Sequence, residues 1–380
     1  MALQSQAGRP GYSRQHMVSR RKSRKGPWIA VFVLAIAVVG GYMYFYGGST
    51  PTTGNTPGAS PEGGDSQPIA AATPREREAN PTRRPGTTAD RQTQRRNPRE
   101  TIPGTRTTDI PDLGDDDTVL TTEQRDQYEQ GMQLIEDGRV VAGRAMLSEL
   151  LFRAPGSLPR HDAQAIRERL THLNQTLVFS KTFVENDPIA FRHTVQSGEI
   201  LSRDIAPAFG TPYQFIMRIN GISDATRINA GATLKCIRGP IHARIVKHEY
   251  RMDLYVIDPD GLRIYLCSYP VGLGEFDSTP AGQWRIRPRS KVVNPGWSNP
   301  RTGESFDRDD PNIPIGEYWM GLEGLDDNTR DAESYGIHGT NEETSIGQQE
   351  SMGCVRMRDN DVEEVFYMLS SGDSYVEILP

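Results

Sequence analysis

The pattern of apolar and polar positions changes character several times along the 380 residues. Trp28 to Tyr46 is a run of nineteen residues without a charge, WIAVFVLAIAVVGGYMYFY. As a helix it would be ~28 Å long, about the hydrocarbon thickness of a bilayer. Residues 47–118 show no periodicity: 10 of 72 are apolar and another 10 are Pro. Such a stretch cannot offset its ordering entropy, and it predicts a disordered linker. Helical periodicity begins after residue 121. Tyr128, Met132, Leu134 and Ile135 form one stripe, and Val140, Val141, Ala145, Leu147, Leu150 and Leu151 continue it beyond Gly138. Ala154-Pro155-Gly156 breaks the run before a third stripe at Ile166, Leu170, Leu173 and Leu177.

Residues 193–237 predict a β-α-α-β unit. A short strand at Thr194-Val195 precedes Gly198, and a helical stripe of Leu201, Ile205 and Phe209 follows, with Pro207 interrupting it. Phe215, Ile216 and Ile219 form the second stripe, which ends at Asn220-Gly221, and a strand from Thr233 to Ile237 closes the unit. From residue 241 onward the pattern is mainly β. Pro259-Asp260-Gly261 joins two strands, because Pro presets φ and Gly permits positive φ. Further short strands are expected at Trp284–Ile286, Glu317–Leu322, Tyr335–His338 and Tyr375–Leu379. Asn360 with Glu363 reads as a capping-box start for one helix, whose apolar face is Val362, Val365, Phe366 and Leu369 before Gly372. Short strands with one helix predict a sandwich or barrel-like domain.

Charge sharpens this division. Residues 1–27 carry seven basic residues and no acid, which keeps that end of the span cytoplasmic. A cleaved signal peptide is the alternative, but no A-x-A site follows; a buried core helix would need a polar face. An uncleaved anchor with everything after Tyr46 exported is therefore expected. The net charge of −6 gives no reason to expect nucleic acid as a partner. Three cysteines without a C-x-x-C pair exclude a disulfide scaffold and a zinc-finger start. His242 and His248-Glu249 lack H-E-x-x-H spacing, and Asp309-Asp310 and Asp326-Asp327 read as solvated loop acids. No metal and no cofactor is expected.

One constellation concentrates chemistry: Tyr335-Gly-Ile-His-Gly-Thr340, then Ser351-Met-Gly-Cys-Val-Arg356. A nucleophilic thiol needs a base within hydrogen-bond reach and a group that fixes that base. The polar residues 341–350 can fold back and bring His338 to Cys354. The Gly339 carbonyl could orient the imidazole through Nδ1, Gly353 lets the backbone approach closely so that amides near Cys354 could face an oxyanion, and Arg356 would lower the thiol pKa or bind a carboxylate. Cys236 and Cys267, in apolar strands with no His nearby in sequence, read as buried small hydrophobes. An exported location would also permit a bond between them.

H-G-T followed by S-x-G-C-x-R resembles the L,D-transpeptidase catalytic domain. Ser278-Thr-Pro-Ala-Gly282 looks like the family's T-P-x-G turn, and Asn294-Pro-Gly-Trp297 and Ile313-Pro-Ile-Gly316 also match. Many members carry His where Met352 stands, so contacts made by that imidazole are missing here. The resemblance implies that Cys354 attacks the bond between the diamino residue of a peptidoglycan stem and D-Ala, with His338 as base and acid. It implies further that the amides of Gly353 and Cys354 stabilise the oxyanion, that Ser351, Arg356 and Tyr335 shape the substrate pocket, and that a neighbouring amine resolves the thioester into a 3→3 cross-link. Water in its place would make an L,D-carboxypeptidase. Papain-like endopeptidases place Cys before His, and sortases place His much further upstream. The rival of another class is a non-catalytic envelope tether.

Residues 193–237 resemble a LysM domain, with G-E-I-L where G-D-T-L is usual. That resemblance implies binding of N-acetylglucosamine chains near Gly198, Glu199, Asn220 and Gly221. Within the helical stretch 122–178, YEQGMQLIEDGRVVAGRAMLSELLFRAP (128–155) resembles a tetratricopeptide-like helical hairpin, either a spacer packed on its neighbour or a protein-binding module. The expected division is a basic tail (1–27), a transmembrane helix (28–46), the linker (47–118), a helical segment (119–185), the LysM domain (191–239) and the catalytic domain (240–380). Peptidoglycan stems and glycan strands are the expected partners, with the catalytic domain in the periplasm or cell-wall space and the inner membrane holding the anchor.

Overall fold

Three helices lead the computed structural model, which describes residues 118–153 and 157–380. The tail, the span at 28–46, nearly all of the linker and the Ala154-Pro155-Gly156 break lie outside the described residues. Among the described residues, no helix is long and apolar enough to cross a membrane. Helix α1 is Thr122–Glu136, α2 Val140–Phe152 and α3 Arg160–Leu177. Thr121 and Gln124 exchange side-chain and backbone hydrogen bonds at the start of α1, satisfying two amides that the first turn would leave open.

The next unit runs β1 (Ala190–Thr194), a wide π turn (Leu201–Ile205), α4 (Ala206–Phe209), α5 (Tyr213–Asn220) and β2 (Thr233–Ile237). Strand β1 starts four residues before the expected Thr194, because its whole length pairs antiparallel with β2 from Ala190↔Ile237 to Thr194↔Thr233. Pro207 sits in the first turn of α4, where its missing N–H costs least, and the π turn absorbs the irregularity ahead of it. Val195, Leu201, Ile205, Ile216, Leu234 and Cys236 form a core of their own.

The remaining strands are β3 (His242–Val246), β4 (Arg251–Ile257), β5 (Arg263–Pro270), β6 (Leu273–Gly274), β7 (Gly282–Val293), β8 (Trp297–Ser298), β9 (Ser305–Phe306), β10 (Tyr318–Gly324), β11 (Gly336–His338), β12 (Gln349–Ser351) and β13 (Val355–Arg356). Helix α6 (Asp359–Met368) and β14 (Tyr375–Leu379) complete the chain. Instead of a sandwich of two comparable sheets, one mixed eight-stranded sheet runs β13-β11-β10-β7-β14-β3-β4-β5, with β6–β12 and β8–β9 as two-stranded satellites. The β4–β5 turn is fixed by Asp258, whose carboxylate accepts from the amides of Asp260 and Leu262 at 2.9 Å each. Helix α6 starts at Asp359 without a side-chain cap. The expected capping box is not made, because Glu363 accepts from the Tyr318 hydroxyl at 2.9 Å instead.

Helix α3 lies across β4 and β5. Arg167 makes a forked contact with the buried Asp253 at 3.0–3.2 Å, and the Asn174 amide donates to the carbonyls of Tyr265 (2.7 Å) and Leu266 (3.0 Å). Tyr255 and Tyr265 join the helical core, while Leu254 and Leu266 face the core of the sheet. Both faces of this sheet end are therefore covered, and the site is built where β11 and β13, at the other end, meet the segment leading into the satellite strand β6.

Candidate active site

Parallel pairing sets the frame. Ile337 lies opposite Val355 and His338 opposite Arg356. Strand side chains alternate, so Ile337 and Val355 go into the core and are about 0–1% exposed. His338 and Arg356 then share the other face, and Cys354 directly precedes β13.

His338 is buried and doubly fixed. Its ring stacks on Trp319, the residue opposite it on β10, with centroids 5.6 Å apart and planes 17° apart. Nδ1 lies 2.6 Å from the Gly339 carbonyl, the partner foreseen for it. With the proton on Nδ1 donated to that carbonyl, Nε2 is the free lone pair. Burial pushes the imidazole pKa down to about 4; the Gly339 carbonyl opposes this, the Arg356 charge adds to it, and the Ile315 carbonyl also opposes it. At neutral pH the ring is uncharged and able to accept a proton.

Cys354 is half-buried, and its Sγ points to the Ser334 carbonyl at 3.6 Å. Ser334 aims that carbonyl from the left-handed region, at φ 65°. The thiol and the imidazole are not hydrogen-bonded to each other; rotation about the Cys354 side chain must bring them together. Burial raises the thiol pKa, while the Gly336 amide and the Arg356 charge pull it down by less. Arg356 thus acts in the expected direction and is outweighed. Cys236 and Cys267 are free, fully buried thiols, with Cys236 pushed up to about 12 and Cys267 higher still.

The loop before the thiol is tightly tied. The Gly353 amide donates to Ser351 Oγ at 3.0 Å, and that hydroxyl donates to the Cys354 carbonyl at 2.6 Å. The Gly353 amide, expected to face an oxyanion, makes its hydrogen bond to the loop in this structure. Ser351, 2% exposed, braces the same loop. Gly353 has φ 122°, and a Cβ there would meet the Tyr335 ring, so only glycine fits. Tyr335 donates to the Ser278 carbonyl at 3.3 Å and packs on Trp284, which places it beside Gly353 as a wall of the site. Arg356 pairs with Glu342 of the 341–350 loop at 3.2 Å.

Two contributors had only faint signals in sequence. Thr279, inside the T-P-x-G stretch, donates to the Gly353 carbonyl at 2.9 Å and accepts from the Gly274 amide at 2.8 Å, clamping the thiol loop to β6. Trp319 is marked only by adjacency to Tyr318 in a strand. Among the described residues no group of three His, Cys, Asp or Glu side chains is gathered to hold a metal.

The four residues expected to bind glycan differ in what they already hold. Asn220 is buried, its amide donating to the Ile216 and Lys235 carbonyls at 2.8 and 2.7 Å and its oxygen accepting from the Lys235 amide at 2.9 Å. Both amide hydrogens are therefore spent on the backbone. Gly221 is the left-handed cap of α5 beside Lys181. Glu199 closes the first loop, accepting from the Gln196 amide at 2.7 Å and pairing with His193 at 2.8 Å. Gly198, at φ 87° with open space around it, is the exposed one of the four that has no such commitment.

Comparison with known proteins agrees with the geometry. Residues 242–378 match the model of the L,D-transpeptidase catalytic domain, and residues 193–236 match the LysM domain. A putative L,D-transpeptidase of Bacillus licheniformis, YkuD, is 31% identical over 193 residues, covering 50% of this chain and 98% of its own length. The probable L,D-transpeptidase ErfK/SrfK of Escherichia coli is 30% identical over 133 residues, 32% of this chain and 39% of that protein. The structure of L,D-transpeptidase 3 from Mycobacterium tuberculosis with a faropenem-derived adduct aligns over 40% of this chain and 76% of that one. Its identity is 12% and its TM-score 0.29, at which the likeness carries no argument. On the near-complete coverage of the Bacillus relative, the chain belongs to the L,D-transpeptidases, with a LysM domain ahead of the catalytic one.

Proposed function

We propose that the chain is a membrane-anchored, exported enzyme that forms 3→3 cross-links in peptidoglycan through a Cys354 thioester. The observation that carries this reading is the pairing of β11, which ends on His338, with β13, which directly follows Cys354, while His338 Nδ1 is tied to a carbonyl. An uncharged imidazole beside an uncharged thiol suits general-base attack better than a preformed ion pair. When substrate enters, Sγ leaves the Ser334 carbonyl and gives its proton to Nε2 as it bonds to the carbonyl carbon of the third stem residue. The amide bond to D-Ala breaks, and its nitrogen takes the proton back from His338. An acceptor amine then attacks the thioester, and the thiol is regenerated.

With the Gly353 amide spent on Ser351, the oxyanion is assigned to the amides of Cys354 itself and of Gly336, whose N–H faces Sγ. Arg356 would exchange Glu342 for a stem carboxylate. The uncharged run at 28–46 and the basic tail before it support the anchor, with the N-terminus cytoplasmic. The LysM domain supports glycan as the surface on which the catalytic domain works.

Incubation of the purified chain with tetrapeptide-stem muropeptides tests this reading. D-Ala release and a cross-linked dimer are expected, and Cys354→Ala should abolish both. Release of D-Ala with tripeptide monomer as sole product would mean carboxypeptidase chemistry. No release, with Cys354→Ala indistinguishable from the unaltered chain, would leave the domain an inert tether.

A further inference from the structure

Behind the imidazole lies a carboxylate that the mechanism above does not use. Asp359 opens α6, and a Cβ added to either Gly316 or Gly339 would fall on its Oδ1. The carboxylate is therefore seated between two backbone segments that can come this close only as glycines. The Thr340 amide donates to it. That N–H belongs to the same peptide unit as the Gly339 carbonyl, which holds His338 Nδ1 at 2.6 Å. The other segment is connected in the same way: the Ile315 carbonyl, one peptide from Gly316, also faces the imidazole. The Ile313-Pro-Ile-Gly316 stretch thereby has a function in the site, because Gly316 makes room for Asp359.

We propose that Asp359 is a positioning residue for the transpeptidase reaction. Its carboxylate holds the Gly339–Thr340 peptide, so that the Gly339 carbonyl keeps the His338 proton on Nδ1 and Nε2 toward the thiol. A carboxylate accepting from one end of a peptide makes the carbonyl at the other end a stronger acceptor, since hydrogen bonds in a chain polarise one another. Asp359 thus stands to the imidazole as an orienting acid does in a triad, with one peptide unit interposed. The inference rests on the reading of His338 as the base.

The seat is costly for a charge, which supports the assignment. Although Asp359 keeps an exposed side, its pKa is raised to about 6, first by desolvation and then by Glu317 and Glu343; the Thr340 amide opposes this. Glu317, just before β10, and Glu343, in the loop after β11, are the acids facing it; Arg356 is the cation facing His338. A folded-state pKa above the ordinary carboxylate value means that ionisation weakens the fold as pH rises towards and through 6. Asp359→Asn removes that penalty while keeping an oxygen for the Thr340 amide.

The test uses the full chain with Asp359→Ala and Asp359→Asn, reading D-Ala release and the ring-nitrogen NMR signals of His338. In Asp359→Ala, kcat should fall about tenfold with KM unchanged, and the ring should lose its single Nδ1–H tautomer. Asp359→Asn should restore most of kcat at pH 7.5 and melt no lower than the unaltered chain there. If Asp359→Ala does not fold, Asp359→Glu, which displaces the carboxylate by one methylene, should shift the same signals. An unchanged tautomer in Asp359→Ala, or in Asp359→Glu where that replaces it, overturns the proposal. So does Asp359→Asn as impaired as Asp359→Ala. A His338→Ala chain that still releases D-Ala at the full rate would instead overturn the base assignment, which the ring signals judge separately.

Discussion

The LysM domain and the catalytic domain use their signature residues in opposite ways. Asn220 and Gly221, prominent in the LysM pattern, are consumed by the fold: one satisfies three backbone groups and the other caps a helix. His338 and Cys354 each keep a reactive atom uncommitted to the other, Nε2 in one case and a movable Sγ in the second. A motif therefore names two kinds of residue, and burial with complete hydrogen bonding separates scaffold from chemistry. Within the catalytic motif the same division recurs. Ser351 and Gly353 are spent on holding the loop, whereas Cys354 is not.

The contrast breaks most visibly at the cysteines. Cys354 should react with iodoacetamide at least ~100-fold faster than Cys236 or Cys267 in the native chain. Its rate should keep climbing as pH rises past 9, because burial holds the thiol above its ordinary pKa and the neutral imidazole supplies no positive charge. A flat rate between pH 5 and 8 would mean a preformed thiolate–imidazolium pair and would break the general-base account. Mass mapping of the three sites across a pH series distinguishes these outcomes.

A smaller effect is expected at Asn220. Asn220→Ala leaves the Lys235 amide and two carbonyls without their partner, costing about 2–3 kcal/mol, read as a loss of thermal stability. If glycan affinity falls while stability does not, Asn220 belongs to the binding surface and the contrast between domains fails. The smallest effect is assigned to Glu342, whose exposed ion pair with Arg356 is worth roughly 0–1 kcal/mol. Glu342→Gln should lower KM for a stem substrate about two- to fivefold and leave kcat alone. An increase in KM would mean that Glu342 helps bind the stem.

Elements whose pattern is local were legible in the amino-acid sequence. The three amphipathic helices, the β4–β5 turn with its Pro-Asp-Gly, and the closing strand Thr233–Ile237 all follow from periodicity and turn chemistry. Strand β1 was mislocated because its start is set by pairing with β2, which periodicity alone does not contain. Periodicity could not choose between a sandwich and a barrel-like domain for a related reason. Strand count does not say how many sheets form, and here eight strands join in one. At the site, His338 and Cys354 stood out because Gly neighbours and a polar loop isolate them. Trp319, Thr279 and Asp359 did not, since each acts through a partner at least 19 residues away in the chain.

Intact mass of the chain, mixed with a tetrapeptide-stem donor while acceptor amine is withheld, tests the central claim most directly. The account predicts an acyl adduct of the stem after loss of D-Ala, mapped to Cys354, absent from Cys354→Ala, and discharged when amine is added. Release of D-Ala without any adduct, or an adduct that persists in Cys354→Ala, would contradict it.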